Sequence, residues 1–561
     1  MEKAGLFSEF ETFYALYKPL TVYGRAAKEA RTFFTDKAEL ENELDFIEAV
    51  KPLIAAKAIK DKLRHHLRNI PLIKAENPIE SSAAELFLVR KFLMNVKAVF
   101  EILPESTRNI FGAVWGSSAL LALLDKGGKG EAFFIADCYS ERLADKRKEI
   151  LAADIKLKKL KEKRLKEISG RYGLDFSDRD FLIMLDKNLA AFGEQHDLYA
   201  EPHDFGRLMV KPVYGNDYLS LAAKRESLRA EEAVLEKKVV DQLIYAVNAD
   251  RENLQLYIEA IRRIDTAAEK ARLAIDMDMV RPEINDGLPE MPAPAENAET
   301  ARSFGASVAS GTVIELKKAR FIPLEKALQK TDLKYMPFTA SFSSRINILH
   351  GSNMGGKTVA LKTFVFFQFL VQSGFYVPAE CCRVSLFKGI CFIGGDGAAS
   401  AGGLSSFGIE MNDFIKACGT LDKGPALFIM DEFARTTNSE EGTALLSAIL
   451  SWLAQRSGAF VFLATHLAGL KAPANSAWFR MKGFDRGAFG TYFAEHSSAE
   501  LEETLRRINR FMCYEMLPVS SESESRDAIK IAGILGVNKE ITALAEEIIA
   551  GTAKTSDWNE I

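Results

Sequence analysis

The sequence predicts an α/β domain with a parallel sheet toward the C-terminus, preceded by an all-α region that carries a small tip. Three observations support this. After Ser343 the chain alternates short apolar strands with glycine-containing loops and helices. Before it, apolar residues recur at helical spacing with charges between them. Two long runs there, 141–168 and 220–279, contain no proline and are separated by a short segment with glycines, prolines and aromatics.

Composition bounds the rest. The chain has 561 residues, room for about three or four domains, and its 48% apolar fraction is enough for sizeable cores. A net charge of −4 argues against coating nucleic acid by bulk charge and leaves a local basic patch open. Six cysteines (Cys138, Cys381, Cys382, Cys391, Cys418 and Cys513) include no CxxC pair, so neither a disulfide framework nor a zinc ribbon is expected. The opening MEKAGLFSEFETF holds no signal-peptide core. The most apolar helical stretch, Thr363 to Val371, is far short of the roughly 20 residues a membrane span needs. The expectation is a soluble, cytoplasmic protein without a membrane partner.

Residues 1–140 read as a helical core. Leu40, Leu44, Ile47, Val50 and Leu53 mark one buried face, and prolines at 19, 52, 71, 78 and 104 punctuate helices of ordinary length. Residues 141–280 read as two long lever-like helices around a tip at about 171–218. The first, from Glu141 to Ile168, would reach about 42 Å at the α-helical rise. Asp154 to Ile168 carries ten charges, seven of them Lys or Arg. That pattern fits a basic arm on phosphates, or a solvated helix laced with pairs such as Lys158–Glu162. In the tip, His196, Asp197, Glu201, His203 and Asp204 have metal-ligating side chains but no zinc or calcium spacing, so surface polarity is the better reading. Pro282, Pro289, Pro292 and Pro294 mark 281–305 as a linker, and 306–561 remains for the α/β domain.

The chemistry lies in that domain. A short strand, Arg345 to His350, runs into Gly351, Ser352, Asn353, Met354, Gly355, Gly356, Lys357 and Thr358, a full GxxxxGK[ST] with a helix directly after it. Its glycines let backbone N–H groups converge on phosphates, and the helix N-terminus adds partial positive charge. Lys357 would reach the β- and γ-phosphates and Thr358 would place its hydroxyl on Mg2+. ATP or GTP is therefore the expected ligand. The strand 426–432, ALFIMDE, is buried in pattern and delivers two acids to the sheet's carboxyl edge. Asp431 is the candidate Mg2+ partner and Glu432 the candidate base orienting the attacking water; capping of a neighbouring helix is the plainer alternative. A third strand, 458–466, ends in Thr465 and His466, placing His466 as a γ-phosphate sensor beside Glu432.

Taken together, GSNMGGKT, VPA at 377–379, GLSSFGIEM at 403–411, IMDEFARTTNSEEG at 429–442 and ATH at 464–466 resemble the MutS-type ATPases of DNA mismatch repair over about 200 residues. Upstream, TVYGR at 21–25 and the stretch from Asp265 to Ile284 resemble the start and the return of that family's helical core. The resemblance implies a P-loop NTPase domain of ABC type with ATP and Mg2+. It implies Tyr335 stacking on adenine, and a homodimer or a heterodimer with a related subunit in which Ser405 and Ser406 approach the partner's γ-phosphate. The terminal helix near Glu540–Ile549 is similar to the family's dimerising helices.

The departures qualify this. The chain begins almost directly in the helical core, so the family's mismatch-recognition and connector domains, with their Phe-x-Glu wedge, are expected to be missing. Leu404 stands where the family has arginine, only Asp396 remains of a paired-aspartate loop, and Ala434-Arg-Thr-Thr replaces Gly-Arg-Gly-Thr. ATP chemistry is expected to survive these changes and direct mismatch detection is not. Two functions follow: an ATP-gated DNA clamp in repair or recombination, or an ATP-dependent reactivating factor whose protein client is an adenosylcobalamin-dependent aminomutase.

Overall fold

A computed structural model describes residues 1–78, 83–127, 135–176, 179–185, 196–204, 206–288, 314–330, 335–351, 356–394, 406–435, 437–484, 512–520, 529, 532 and 537–549. The chain divides into two compact units, one of residues 1–64 with 262–561 and one of 65–261. Residues 1–64 thus group with the α/β domain and not with 65–140, a different division from the expected 1–140 core.

Five helices open the chain: α1 (Glu2–Phe7), α2 (Phe10–Tyr14), α3 (Val22–Ala30), α4 (Lys37–Ala55) and α5 (Lys57–Asn69). Thr21 and Asp36 cap α3 and α4, their side chains accepting from Gly24 N at 2.9 Å and Glu39 N at 3.0 Å. In α4 the buried stripe is Leu40, Leu44, Ile47, Val50 and Ile54. Ile54 takes the place expected for Leu53, because the stripe closes at i+4 from Val50. Pro52 does not end this helix; it sits in the last turn, where α4 continues to Ala55.

In the second unit α6 (Ala83–Ile102), α7 (Glu105–Phe111) and α8 (Ser118–Asp125) precede α9 (Glu141–Tyr172). Ser140 caps α9, and Gly173 ends it at φ 65°, a left-handed residue that needs no Cβ. Strands β1 (Leu182–Leu185), β2 (Leu198–Pro202) and β3 (Arg207–Pro212) follow as an antiparallel sheet of order β1-β3-β2. Its core is Ile168, Phe176, Leu198 and Val210. Asp197 receives Arg164 Nη2 at 2.7 Å, Tyr172 Oη at 3.2 Å and Arg171, and the Arg164 and Arg171 charges help hold its carboxyl low against burial. Among the described residues no group of three or more His, Cys, Asp or Glu side chains could hold a metal. The proline-free run expected over 220–279 is two helices, α10 (Asn216–Ala249) and α11 (Arg251–Asp276), broken where the Asp250 carboxylate accepts from Ser117 Oγ. Arg147 of α9 spans to Glu232 of α10 at 2.8 Å and also to Glu236.

The α/β part of the first unit holds two sheets. One has the order β4-β8-β5-β6, from β4 (Glu283–Ile284), β5 (Ile314–Ala319), β6 (Phe338–Phe342) and β8 (Cys381–Val384), with the short helix α12 (Ile322–Leu328) between β5 and β6. The start of the predicted linker is therefore structured: Glu283 and Ile284 pair with Arg383 and Val384, because an edge of β8 offers free backbone partners. The linker residues from 289 on lie outside the described residues. The second sheet has the order β13-β12-β7-β11-β10-β9, from β7 (Ile346–His350), β9 (Gly389–Gly394), β10 (Ala426–Asp431), β11 (Ala459–Thr465), β12 (Ala477–Phe484) and β13 (Met512–Val519). Among the described residues only the β12–β13 pair of this sheet is antiparallel. Strands β7, β10 and β11 are buried along their whole length, as a parallel sheet covered on both faces requires.

Helix α13 (Lys357–Gln372) follows the glycine loop, and thirteen of its sixteen residues are buried. The run Thr363–Val371 is thus core packed on all sides, and no described helix is long and apolar enough to cross a membrane. Phe10 and Phe13 of α2 lie against Phe369 and Phe366 of α13 at 5.3 and 5.7 Å between ring centroids, which explains why residues 1–64 belong to this unit. Helices α14 (Ser406–Cys418), α15 (Ser439–Ala454) and α16 (Lys539–Ile549) follow in the same unit. On α16, Ile541, Leu544 and Ile548 are exposed.

The segment at 21–25 and the return helix α11 meet at one carboxylate. Asp265 accepts from Leu20 N at 3.0 Å, Thr21 N at 2.7 Å and Thr21 Oγ1 at 2.7 Å. A Cβ on Gly24 would fall onto that carboxylate and within 2.8 Å of Pro19 Cβ. Gly24→Ala should therefore destabilise the protein by about 1–3 kcal/mol through overpacking, read as a lower urea midpoint; an unchanged midpoint would mean that this contact yields without cost.

Candidate active site

Parallel strands deliver their carboxyl ends to one edge, and that edge gathers most of the candidate residues that are described. In β10, Asp431 lies opposite Gly394 of β9 and Ala464 of β11; in β7, His350 lies opposite Thr465. Strand β11 therefore separates the strand of the glycine loop from the strand of the acids. Gly394, at φ 124°, is the residue that lets the two backbones approach: a Cβ there would fall on Asp431 O.

Of the loop, Gly351, Gly356, Lys357 and Thr358 are described; Ser352, Asn353, Met354 and Gly355 lie outside the described residues. Gly356 is left-handed at φ 85° and leads directly into α13. Lys357 is buried, and its Nζ donates to Gly351 O. Burial lowers its ammonium pKa, partly offset by Glu432 and Asp431.

Asp431 is 9% exposed, and its Oδ1 is buried with no hydrogen-bond partner among the described residues. Burial raises its pKa; a hydrogen bond with the Thr358 side chain and the Lys357 charge pull the other way, while Glu432 adds to the rise. An unpartnered buried carboxylate oxygen beside a threonine hydroxyl is the donor set a hard cation takes, so the residues present fit Mg2+. Lys357 at the N-terminus of α13 fits a phosphate.

Glu432 follows at φ 52°. Its N–H donates to Ala464 O at 2.9 Å, and its carboxylate sits 3.1 Å from Arg435 Nη1 and 3.6 Å from His466 Nδ1. The structure thus brings together Lys357, Thr358, Asp431, Glu432 and His466. Thr465, buried, uses its Oγ1 to accept from Leu467 N at 3.1 Å. Tyr335 is tied to Phe321, whose N–H donates to the Tyr335 hydroxyl at 2.7 Å, and burial raises the phenol to about 12. Ser405 lies outside the described residues, and Ser406 begins α14 without a described side chain. Sequence reasoning missed two groups. Arg435 was legible as a cation three residues from Glu432; Glu410, on α14, reaches the same loop from 24 residues earlier and left no local signal.

Residues 347–488 match MutS domain V. Over this domain and part of the residues before it the chain is similar to proteins of the MutS family. That domain is of the P-loop ATPase type, in agreement with the parallel strands and the loop described above. The chain is 28% identical over 441 residues to an endonuclease MutS2 of Thermomicrobium roseum, an alignment covering 77% of this chain and 49% of that protein. It is 32% identical over 255 residues to an endonuclease MutS2 of Caldicellulosiruptor bescii, covering 45% and 29%. A DNA mismatch repair protein MutS of Natronomonas pharaonis is 27% identical over 276 residues, covering 48% and 29%. The chain spans half or less of the length of each of these relatives.

The cost of Asp431 makes a prediction with a sign. A carboxyl whose pKa is raised by folding opposes folding once it ionises, so Asp431→Asn should leave the nucleotide-free protein as stable as the wild type or more so near neutral pH. The difference should shrink as pH falls through the carboxyl's raised range, where the wild-type side chain is also neutral. The same variant should lose Mg2+-dependent nucleotide turnover. Urea midpoints measured at several pH values check the first part; a less stable variant at neutral pH would mean that this carboxylate is satisfied.

Proposed function

We propose that the protein is a Mg2+-dependent ATPase that acts as a dimeric, ATP-gated clamp on DNA. The observation that carries the ATPase part is the buried, unpartnered Asp431 oxygen set against Thr358 and Lys357, with Glu432 next to it. Mg2+ held by Asp431 and Thr358 would neutralise charge on the phosphate oxygens. Lys357 binds the β- and γ-phosphates as a fixed cation, and its burial keeps water from competing. Glu432 orients the attacking water, Arg435 and His466 hold its carboxylate, and His466 senses the γ-phosphate end. Ser405 and Ser406 serve the site of a second copy or of a related subunit, and α16, with its exposed apolar stripe, serves dimerisation. Tyr335 stacks on adenine in this reading. In this reading residues 306–561 carry the ATPase domain, with 1–64 grouped in the same unit, and 141–280 supply the levers with the tip. The protein is cytoplasmic.

The DNA part rests on relatives named for endonuclease and DNA mismatch repair roles and on one helix face. Lys156, Lys159, Lys163 and Lys166 of α9 are exposed, share one face by their spacing, and form no ion pair among the described residues. The Lys158–Glu162 pair expected from spacing is likewise not among the described ion pairs. Other cations of α9 pair either within the helix, as Lys146 with Glu149 and Lys148 with Asp145, or with other segments, as Lys161 with Asp180 and Arg164 with Asp197. The four free lysines span about 15 Å, enough to follow several phosphates. Neither the proteins compared above nor any described group in the site favours an aminomutase client.

Two outcomes test this. Glu432→Gln should bind ATP nearly as the wild type does and turn it over about 100-fold more slowly or worse; wild-type turnover would mean that the water is oriented elsewhere. ATPase rate and DNA affinity should both respond to linear, nicked or branched DNA, and the response should fade with salt. Replacing the four lysines by alanine should lower the slope of log affinity against log salt by up to about 4. Turnover and binding indifferent to every DNA would overturn the DNA part.

A further inference from the structure

The turn after β10 is strained. Glu432 and Ala434 both have positive φ, 52° and 62°, a region costing a residue with a side chain about 1–3 kcal/mol and kept only where the surroundings over-determine it. Backbone bonds supply part of that hold: Glu432 N–H to Ala464 O at 2.9 Å, Arg435 N–H to Glu432 O at 3.3 Å and Thr437 N–H to Ala434 O at 3.3 Å. The remaining polar hold comes from a side chain. Ala434 N–H donates to Glu410 Oε2 at 2.9 Å. Ala434 is 1% exposed and Glu410 6%, so water offers that amide no ready substitute. Phe433, fully buried between the two left-handed residues, packs on Phe414, one turn beyond Glu410 on α14, with ring centroids 6.3 Å apart. Helix α14 therefore grips the turn at two successive residues.

We propose that Glu410 is a positioning residue for Glu432: by accepting from the Ala434 amide it fixes the turn that aims the Glu432 carboxylate between Arg435 and His466. This rests on the ATPase reading and names a residue that touches no reacting atom. The requirement is an acceptor, not a charge, since the partner is a neutral amide. Burial raises the Glu410 pKa, against the Ala434 hydrogen bond and the Arg435 charge, so an uncharged acceptor loses nothing there. Because the grip belongs to α14, a displacement of that helix moves the turn and Glu432 with it.

The test compares three variants with Glu432→Gln as a control. Glu410→Ala should lower kcat at least about 10-fold, on the scale of a reacting group misplaced by a fraction of an ångström to an ångström, while ATP affinity stays within about twofold. Glu410→Gln keeps the acceptor and should retain kcat within about threefold of the wild type. Glu410→Asp, one methylene short, should resemble alanine, and it stands in for Glu410→Ala if that variant does not fold. Amide exchange at Ala434 should quicken in the alanine and aspartate variants and not in the glutamine one. Wild-type kcat in both Glu410→Ala and Glu410→Asp, a glutamine variant as impaired as alanine, or ATP affinity falling in step with kcat would each overturn the proposal. If wild type and Glu432→Gln are equally inactive, the ATPase reading itself fails, and the exchange data then show that failure to be separate from the Glu410–Ala434 contact.

Discussion

A carboxylate oxygen buried without a partner is a liability that the fold around it must sustain. An unsatisfied buried acceptor costs on the order of 1–3 kcal/mol, more when charged, and Asp431 carries one at the end of a strand with no polar residue before it. Only a sheet covered on both faces presents such a strand, so β7, β10 and β11 are buried throughout and α13 is buried nearly all round. Covering α13 in turn requires the aromatic face of α2, since Phe10 and Phe13 lie on Phe369 and Phe366. The N-terminal helices are in this sense part of the ATPase-type unit: at about 1.5–3 kcal/mol per buried large apolar side chain, they supply the apolar burial that lets one acid be kept dry.

The parts of this arrangement written in short windows were legible in the sequence. The glycine loop, its lysine and threonine, the apolar strand ending in Asp431 and Glu432, and the long proline-free helix at 141 each depend on residues within one element, where spacing and geometry are the same thing. What escaped depends on contacts between distant residues. Thr21 and Asp265 are joined across 244 positions, and Glu410 meets Ala434 across 24. The grouping of 1–64 with the α/β domain is set by aromatic packing across more than 350 residues. The break at Asp250 could not be read from a helix-forming sequence either, because the serine that bonds its carboxylate, Ser117, lies 133 positions away, just before α8. On α9 the i,i+4 spacing permits Lys158 to meet Glu162, yet the described pairs either form at i,i+3 within the helix, as Arg164 with Glu167, or reach acids on other segments, as Lys161 with Asp180.

The same long-range bonds say how the Lys357 end of α13 is tied to the helices around it. Sixteen residues of α-helix extend about 24 Å, with Lys357 at the first position and Ser373 just past the last. Ser373 O accepts from Lys270 of α11 at 3.1 Å, and that lysine is also paired with Glu43 of α4 at 2.6 Å. Gln372 donates through Nε2 to Phe34 O and Phe387 O, both at 2.8 Å. The far end of the helix is thus bonded to α11, to the loop before α4 and to the loop before β9. Close-packed interiors shift as bodies and do not deform continuously. A helix buried along its length therefore cannot be drawn toward phosphates at Lys357 without loading the bonds at Ser373 and Gln372. Lys270 lies two turns or less from Asp265, which holds the start of α3, so the load falls on the one stretch of α11 that already carries the N-terminal segment.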